Sequence, residues 1–417
     1  MKTILLPLKT TFLFSSILAT ALSAESTVSS DHGDLPPNSV ERTIIENERE
    51  VTPFFRLESV DAFFKPYDDW KTSLQTEHHL KLSGDYQSEY LHADPSNTDK
   101  DAFSGVLRLY GSYTAYNADS ANSGTLIFKV ENRHAYGDYH TAQNYGFAAG
   151  YYGIGGTLFG ELSGSGWGLT NFFWKQQLRE GKSNFIVGVI DPTDYLGIYG
   201  MSNPMTSFLN LSFLIDPTMF LPNQGLGLAG ATMIGENFYA IANIIDANAD
   251  AQELGFDTLG EGEFFTSFEL GWTTEQSRVY FDNIHLTLWH VDEHSKFNAS
   301  PEGWGANFSA SWLIENSWMP YLRGGYSKGA AGLMQKSLSA GFGYNMGGTT
   351  DLLGFGINWS DPADDALREQ VTAELFYRIQ VAKSIAITPD IQYFKNPSLN
   401  PTESSMVQLG LRARFAF

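Results

Sequence analysis

The 417-residue sequence contains no cysteine, so disulfide bridges are excluded as a source of stability. The absence of disulfides fits an exported protein that is stabilised instead by the hydrogen bonds of a closed β-sheet. Basic residues are also scarce, with 26 lysines and arginines against 47 aspartates and glutamates and a formal net charge of −21. Nucleic acid is therefore excluded as a partner, because binding a polyanion needs clustered lysines and arginines.

Long apolar runs are missing after the N-terminal segment. Residues 1–24 combine two lysines, an apolar stretch from 11 to 22 and small residues at the end, which predicts a secretory signal peptide cut near Ser23 or Ala24. A transmembrane anchor is the alternative, but the stretch is shorter than the ~20 residues that a spanning helix needs. A mature protein in a membrane would then have to be a barrel, since only helices and closed barrels satisfy their backbone polar groups in lipid.

The remaining sequence shows apolar and polar residues alternating with a period of two. Residues 407–417 alternate without error and end on Phe417, and residues 370–381 repeat the pattern. We predict an all-β protein, a transmembrane antiparallel β-barrel of about 16 strands over residues 79–417. The predicted strands begin near Leu80, Phe103, Gly124, Trp167, Asn184, Leu226, Asn237, Phe264, Arg278, Ala306, Trp318, Leu333, Asp351, Gln370, Ser384 and Ser405.

A soluble β-sandwich is the alternative interpretation of this alternation. Sixteen strands would be unusual in one sandwich, and a soluble core rarely needs outward tyrosine or tryptophan near so many strand ends. An even number of strands also places both ends of a bacterial barrel on the periplasmic side. The barrel is therefore favoured.

The part of the chain before the barrel, residues 25–78, has two patterns. Residues 25 to about 50 are polar and acidic, which predicts a flexible leader. From 53 to 77 apolar residues recur at helical spacing, which predicts a short amphipathic helical segment at the periplasmic end or partly inside the lumen.

Two gaps interrupt the strand pattern, at residues 136–166 and 191–224. Loops of this length without strands of their own are usually functional. A barrel of sixteen strands has a wide lumen, and a selective pore must narrow it. We expect inward constriction loops here, although loops that only cover the extracellular mouth would give the same pattern.

One stretch of the sequence resembles a known family. Residues 187–197 read VGVIDPTDYLG, and FLNLSF at 208–213 and PNQGLG at 222–227 follow. This series resembles the signature block of the carbohydrate-selective porin family of the OprB type, and a looser likeness extends from about 80 to 417. The resemblance implies a sixteen-stranded barrel that passes sugars by diffusion, with inward loops and a binding site at the constriction. It assigns no role to an individual residue.

A weak sugar site should combine aromatic surfaces with side chains that donate and accept hydrogen bonds. Strand alternation and the ends of the gaps supply candidates, although the charged ones could merely solvate the pore wall. The two tryptophans could belong to an interfacial girdle, and the two aspartates could be turn residues. The candidates are Arg108, Tyr110, Lys129, Glu131, Arg133, Trp167, Trp174, Asp191, Asp194, Arg323, Glu374, Arg378 and Arg412.

Taken together, the sequence predicts an outer-membrane sugar porin of a Gram-negative bacterium and not an enzyme. A general or anion-selective porin is the main alternative; a hydrolase active at the barrel rim and a channel for hydrophobic solutes are weaker ones. No His-Glu-x-x-His zinc motif is present. Expected partners are small sugars, outer-membrane lipid and the barrel-assembly machinery through the C-terminal strand. A homotrimer is also open. No cofactor is predicted, although loop carboxylates could bind calcium.

Overall fold

The computed structural model describes residues 34–157, 162, 165–296, 299–329, 331–346 and 349–417. The predicted signal peptide lies outside these residues, as does the start of the predicted leader, residues 25–33.

Sixteen antiparallel strands of the described residues close into one barrel, in which each strand pairs with its neighbours in sequence and β1 pairs with β16. The predicted fold class is confirmed. The strands are β1 Leu80–Asp94, β2 Asp101–Tyr116, β3 Gly124–Ala135, β4 Trp167–Leu178, β5 Ser183–Ile190, β6 Gly225–Ile234, β7 Phe238–Asp246, β8 Phe264–Thr273, β9 Asn283–Val291, β10 Gly303–Ser311, β11 Trp318–Lys328, β12 Met334–Asn345, β13 Leu352–Pro362, β14 Gln370–Gln380, β15 Ile385–Lys395 and β16 Ser405–Ala416.

One predicted strand start differs from the structure by more than three residues. We expected β9 to begin near Arg278, but it begins at Asn283. Residues 276–278 form a 3-10 turn, and the Arg278 guanidinium donates to Asp282 Oδ1 at 2.9 Å across the next turn. This local ion pair holds the chain out of the sheet until the strand begins.

The two faces of the wall differ as the alternation predicts. On β16, Leu409 and Leu411 lie on the outside and are about half exposed, whereas Gln408 and Arg412 point inward and are buried. The barrel therefore presents an apolar exterior to lipid and a polar interior to the lumen. We call the end that holds Phe417 the turn end and the opposite end the loop end.

Four helices accompany the barrel in the described residues: α1 Val40–Glu48, α2 Glu58–His78, α3 Ala142–Ala149 and α4 Leu211–Leu214. None of the helices described is both long and apolar enough to cross a membrane.

The position of α1 differs from the predicted flexible leader, since this helix lies inside the lumen at the turn end. Ser39 caps its first turn by accepting a hydrogen bond from Arg42 N at 3.2 Å. One turn apart, Val40 and Ile44 pack against Tyr110 and other apolar side chains of the wall. A nine-residue helix is marginal in water, and the lumen supplies the packing that stabilises it.

The described residues of both long gaps fold into the barrel, as predicted for inward loops. Loop B, residues 191–224, buries Leu196, Phe208 and Phe213 in one cluster with Tyr321 and Phe376 of the wall. This apolar contact fixes the loop against one side of the lumen.

We call the described residues of the gap 136–166 loop A, and they contact loop B and the wall. Tyr151 stacks on Phe394 with ring centroids 3.8 Å apart. Leu211 N of loop B donates to Ile154 O of loop A at 2.9 Å. The two loops thus form one layer across the lumen.

Candidate functional site

Two cavities lie one above the other in the lumen. The upper one, of about 610 Å³, lies toward the loop end, and Arg133, Thr193 and Asp191 are among its lining residues. The lower one, of about 130 Å³, lies beside α1. Asp191 lines both cavities, so the start of loop B lies between them. We call the charged side chains at this point the constriction cluster: Glu41, Lys129, Glu131, Arg133, Lys175, Asp191 and Asp194.

Strand β3 supplies three members of the constriction cluster, because alternate residues point into the lumen. Arg133 Nε donates to Glu131 Oε2 at 2.8 Å. Lys129 Nζ lies 3.8 Å from Glu131 Oε1 and 3.9 Å from Asp194 Oδ1. The lysine therefore stands between a carboxylate of the wall and one of loop B.

The turn that begins loop B positions both aspartates. Asp191 Oδ1 accepts hydrogen bonds from Thr193 N at 2.9 Å and from Thr193 Oγ1 at 2.6 Å, and Pro192 starts a 3-10 turn. Asp191 Oδ2 accepts from Gln224 Nε2 at 2.7 Å. The turn chemistry that we considered for Asp191 is therefore present, and it turns Asp194 toward the wall.

Asp194 is buried beside Lys129, and Asn171 Nδ2 donates to its Oδ2 at 3.0 Å. Burial raises the pKa of Asp194 to about 7, although the attraction of Lys129 opposes the shift. The charge of this group can therefore change near neutral pH.

Glu41 of α1 is the member of the constriction cluster that comes from neither the wall nor loop B. Glu41 forms an ion pair with Lys175 of β4. Asn38 Nδ2 donates to Thr193 O at 2.9 Å, which ties the segment to loop B. Glu41 and Lys175 were not among the predicted site residues. An inward lysine of β4 could have been found from alternation, but no sequence signal places α1 in the lumen.

A β-bulge in β4 orients Asn171. Lys129 pairs with Asn171 and Val130 with Leu169, so Thr170 is an extra residue between them. Asn171 is buried, and its Oδ1 has no hydrogen-bond partner among the described residues. A buried amide oxygen left open in this way can accept a hydrogen bond from a hydroxyl group of a solute.

The same bulge decides the orientation of the two predicted tryptophans. Trp167 and Trp174 are seven positions apart, which would put them on opposite faces of a regular strand. With one extra residue between them, both lie on the outer face, where Trp174 pairs with Leu126 and Val187. Neither enters the candidate site.

Four other predicted residues point into the lumen but hold loop B in place. Arg323 donates to Leu214 O at 3.0 Å and to Gly197 O at 2.6 Å. Glu374 accepts from Leu209 N at 2.7 Å and Asn210 N at 2.9 Å.

Two further predicted arginines contact loop B in the same way. Arg412 donates to Pro204 O and to Ser207 O, the latter at 2.9 Å. Arg378 donates to Thr206 O at 3.4 Å and to Thr350 O at 3.0 Å. Arg412 therefore clamps the loop, whereas Arg378 links loop B to Thr350 and also lines a cavity at the turn end.

The last two predicted residues belong to a network on β1 and β2. Arg108 donates through Nη2 to Asp85 Oδ1 at 2.8 Å, and Tyr110 donates to Asp85 Oδ2 at 3.0 Å. Arg414 also donates to Asp85, at 3.1 Å. Asp85 is fully buried at the centre of this network. It was not among the predicted site residues.

Part of the chain matches a known protein family. Residues 291–417 match the family model described as "Carbohydrate-selective porin, OprB family". The resemblance to the OprB family is confirmed. The matched residues lie after the block at 187–227 on which the resemblance was based, so the two likenesses cover different parts of the chain. No curated protein matches the sequence.

Solved structures give the same fold. An OprB structure from Pseudomonas putida aligns with a TM-score of 0.67 and 16% identity, covering 84% of this chain and 97% of that one. A porin variant from Rhodopseudomonas blastica aligns with a TM-score of 0.52 and 10% identity, covering 81% of this chain and all of that one. The barrel is therefore a porin fold.

Proposed function

We propose that this protein is an outer-membrane porin of a Gram-negative bacterium that lets small carbohydrates diffuse through its lumen. The turn end then faces the periplasm and loops A and B lie toward the cell exterior. Solutes would enter the upper cavity, pass the constriction cluster and leave beside α1. The family match over residues 291–417 supports carbohydrate as the solute class.

The observation that carries this proposal is the charge balance of the constriction cluster. Lys129, Arg133 and Lys175 supply three positive charges beside four carboxylates, one of which, Asp194, has its pKa raised to about 7 by burial. A nearly balanced set of charges gives little advantage to either ion sign. It does offer donors and acceptors to neutral, hydroxyl-rich solutes, and the open Asn171 oxygen adds an acceptor.

Swelling of liposomes that contain the protein tests the proposal. Glucose should enter faster than a zwitterionic amino acid of similar size, and glucose should reduce single-channel current by binding in the pore. Permeation ordered by size alone, with no current block, would identify a general porin. Faster entry of anions than of sugars would identify an anion-selective pore.

Variants locate the binding step. Lys129→Ala and Asn171→Ala each remove a hydrogen-bonding group next to Asp194, and each should weaken current block by glucose about tenfold, the effect of losing ~1.4 kcal/mol. Lys336→Ala is the matched control, because this exposed lysine pairs with Asp361 on the outer face of the barrel. Unchanged block in both lumen variants would show that sugars bind elsewhere.

A further inference from the structure

The helix α2 has large apolar side chains that the described protein leaves exposed. Of its 21 residues only Lys71 is buried. Phe63 is 77% exposed and Trp70 is 48% exposed, and Phe54 just before the helix is 87% exposed. A soluble surface rarely leaves aromatic side chains in such a group without a binding partner.

Apolar and aromatic side chains of α2 form a stripe in which Phe63 and Trp70 are exposed and the other members are partly exposed. Val60, Phe63, Tyr67, Trp70 and Leu74 follow one another at intervals of three and four residues, so they share one face of the helix. Tyr67 and Trp70 touch, with ring centroids 5.6 Å apart. We call this set the aromatic face of α2.

Another side of the helix fixes it to the barrel at the turn between β14 and β15. Asp61 Oδ1 accepts a hydrogen bond from Lys383 N at 2.7 Å, and Asp68 Oδ2 pairs with Lys383 Nζ at 2.7 Å. Leu57 N donates to Val381 O at 2.7 Å just before the helix begins. The helix is therefore held at the rim in a defined orientation.

That orientation joins the aromatic face to the lipid-facing surface of the barrel. Phe64, next to the stripe, packs on Phe415 with ring centroids 5.3 Å apart. Phe415 continues the outer row of β16 that contains Leu409 and Leu411, each about half exposed to the surroundings of the barrel. The aromatic face thus extends the apolar band of the wall beyond its turn end.

We propose that α2 lies in the membrane interface, with its aromatic face inserted between the headgroups and acyl chains of the leaflet at the turn end. Tyrosine and tryptophan suit this depth because one part of each ring system is apolar and one part is polar. The helix would then anchor the rim of the barrel from outside and set its depth in the bilayer.

The charges of α2 indicate that headgroup charge does not drive its contact with lipid. The helix carries five carboxylates, Glu58, Asp61, Asp68, Asp69 and Glu77, against the two lysines Lys65 and Lys71. Attraction to anionic headgroups cannot drive the contact, since the helix is itself acidic. Burial of apolar area must drive it, so zwitterionic lipid should be sufficient and salt should have little effect.

The absence of native cysteine allows a direct test with single nitroxide labels. Phe63→Cys and Trp70→Cys report from the aromatic face, and Lys65→Cys, an exposed position on the polar side, is the matched control. Each labelled full-length protein is placed in phosphatidylcholine vesicles. Collision rates with oxygen and with a water-soluble nickel complex are then compared by electron paramagnetic resonance.

Oxygen collisions should exceed nickel collisions at positions 63 and 70, and nickel collisions should exceed oxygen collisions at position 65. The oxygen-to-nickel ratio should differ by at least about fivefold between the two faces, and should not change in 0.5 M salt. Nickel access at 63 and 70 equal to that at 65 would overturn the proposal. Spin–spin broadening that disappears on dilution with unlabelled protein would also overturn it, in favour of a contact between two copies.

Discussion

At the scale of single residues, Asp194 is the member of the constriction cluster whose charge depends most on conditions near neutral pH. Its carboxyl group is buried, which favours the neutral form and raises the pKa to about 7. Above this pH the constriction gains a negative charge beside Lys129. Below it, that lysine faces a neutral partner.

This titration predicts a pH-dependent ion preference. Potassium over chloride selectivity should rise as the pH is raised from 6 to 8, because Asp194 ionises in this window. Asp194→Asn should remove most of this pH dependence in reversal-potential measurements across planar bilayers. Glu236→Gln, a change in an exposed turn, is the control and should leave the wild-type pH dependence in place.

The raised pKa of Asp194 also makes its contribution to stability decrease as the pH rises. Between the ordinary aspartate pKa of 3.8 and about 7, the folded state holds a proton that the unfolded state has lost. The contribution of Asp194 to stability therefore falls as the pH rises through this window, and Asp194→Asn should make unfolding less sensitive to pH. A variant whose melting temperature falls with pH as steeply as that of the wild type would contradict this assignment.

At the scale of elements, α1 divides the turn end of the lumen. The cavity on the side of β4–β7 is about 130 Å³, and a cavity of about 150 Å³ lies on the other side, lined by Arg42, Arg378 and Arg414. The helix is attached at both ends, by Glu41 to Lys175 and by Asn47 Nδ2 to Ser83 Oγ at 2.9 Å.

Removal of α1 should widen the exit. The two cavities have similar volumes, so joining them by deletion of residues 38–48 should roughly double the space open to ions at the turn end. Single-channel conductance should therefore rise roughly twofold, and current block by glucose should decrease. The double variant Phe63→Ser, Trp70→Ser alters the outer helix α2 instead and serves as the control, with conductance expected to stay at the wild-type value. Unchanged conductance after the deletion would mean that the narrowest point lies entirely within loop B and the wall.

The strands could be predicted from sequence because a period of two is a local property of each segment. The inward direction of Arg323 and Glu374 followed from it. Their role did not, because the backbone groups that they bind belong to loop B, more than a hundred residues away in sequence. The bulge at Thr170 also escaped, since a single extra residue leaves no compositional trace and reverses the faces beyond it.

At the scale of the whole molecule, Phe417 extends the seam that closes the barrel. Phe417 N donates to Gly84 O at 2.8 Å, and Gly84 N donates to Phe417 O at 2.7 Å. These two hydrogen bonds extend the pairing of β16 with β1 to its turn end.

Deletion of Phe417 should therefore reduce the yield of folded barrel in the membrane several-fold, since the seam loses two backbone hydrogen bonds, each worth ~1 kcal/mol, and an aromatic contact with Phe415. The fraction of protein that migrates in the compact form without heating measures the outcome. Phe417→Tyr keeps both the backbone and the ring, and should fold like the wild type.

The attachment of loop B also sets an order of events during biogenesis. The loop follows the fifth strand, yet the groups that fasten it come from β11, β14 and β16. A barrel intermediate that lacks these late strands would lack their contacts to loop B. Under the proposed function, such an intermediate would pass solutes with less selection than the closed barrel.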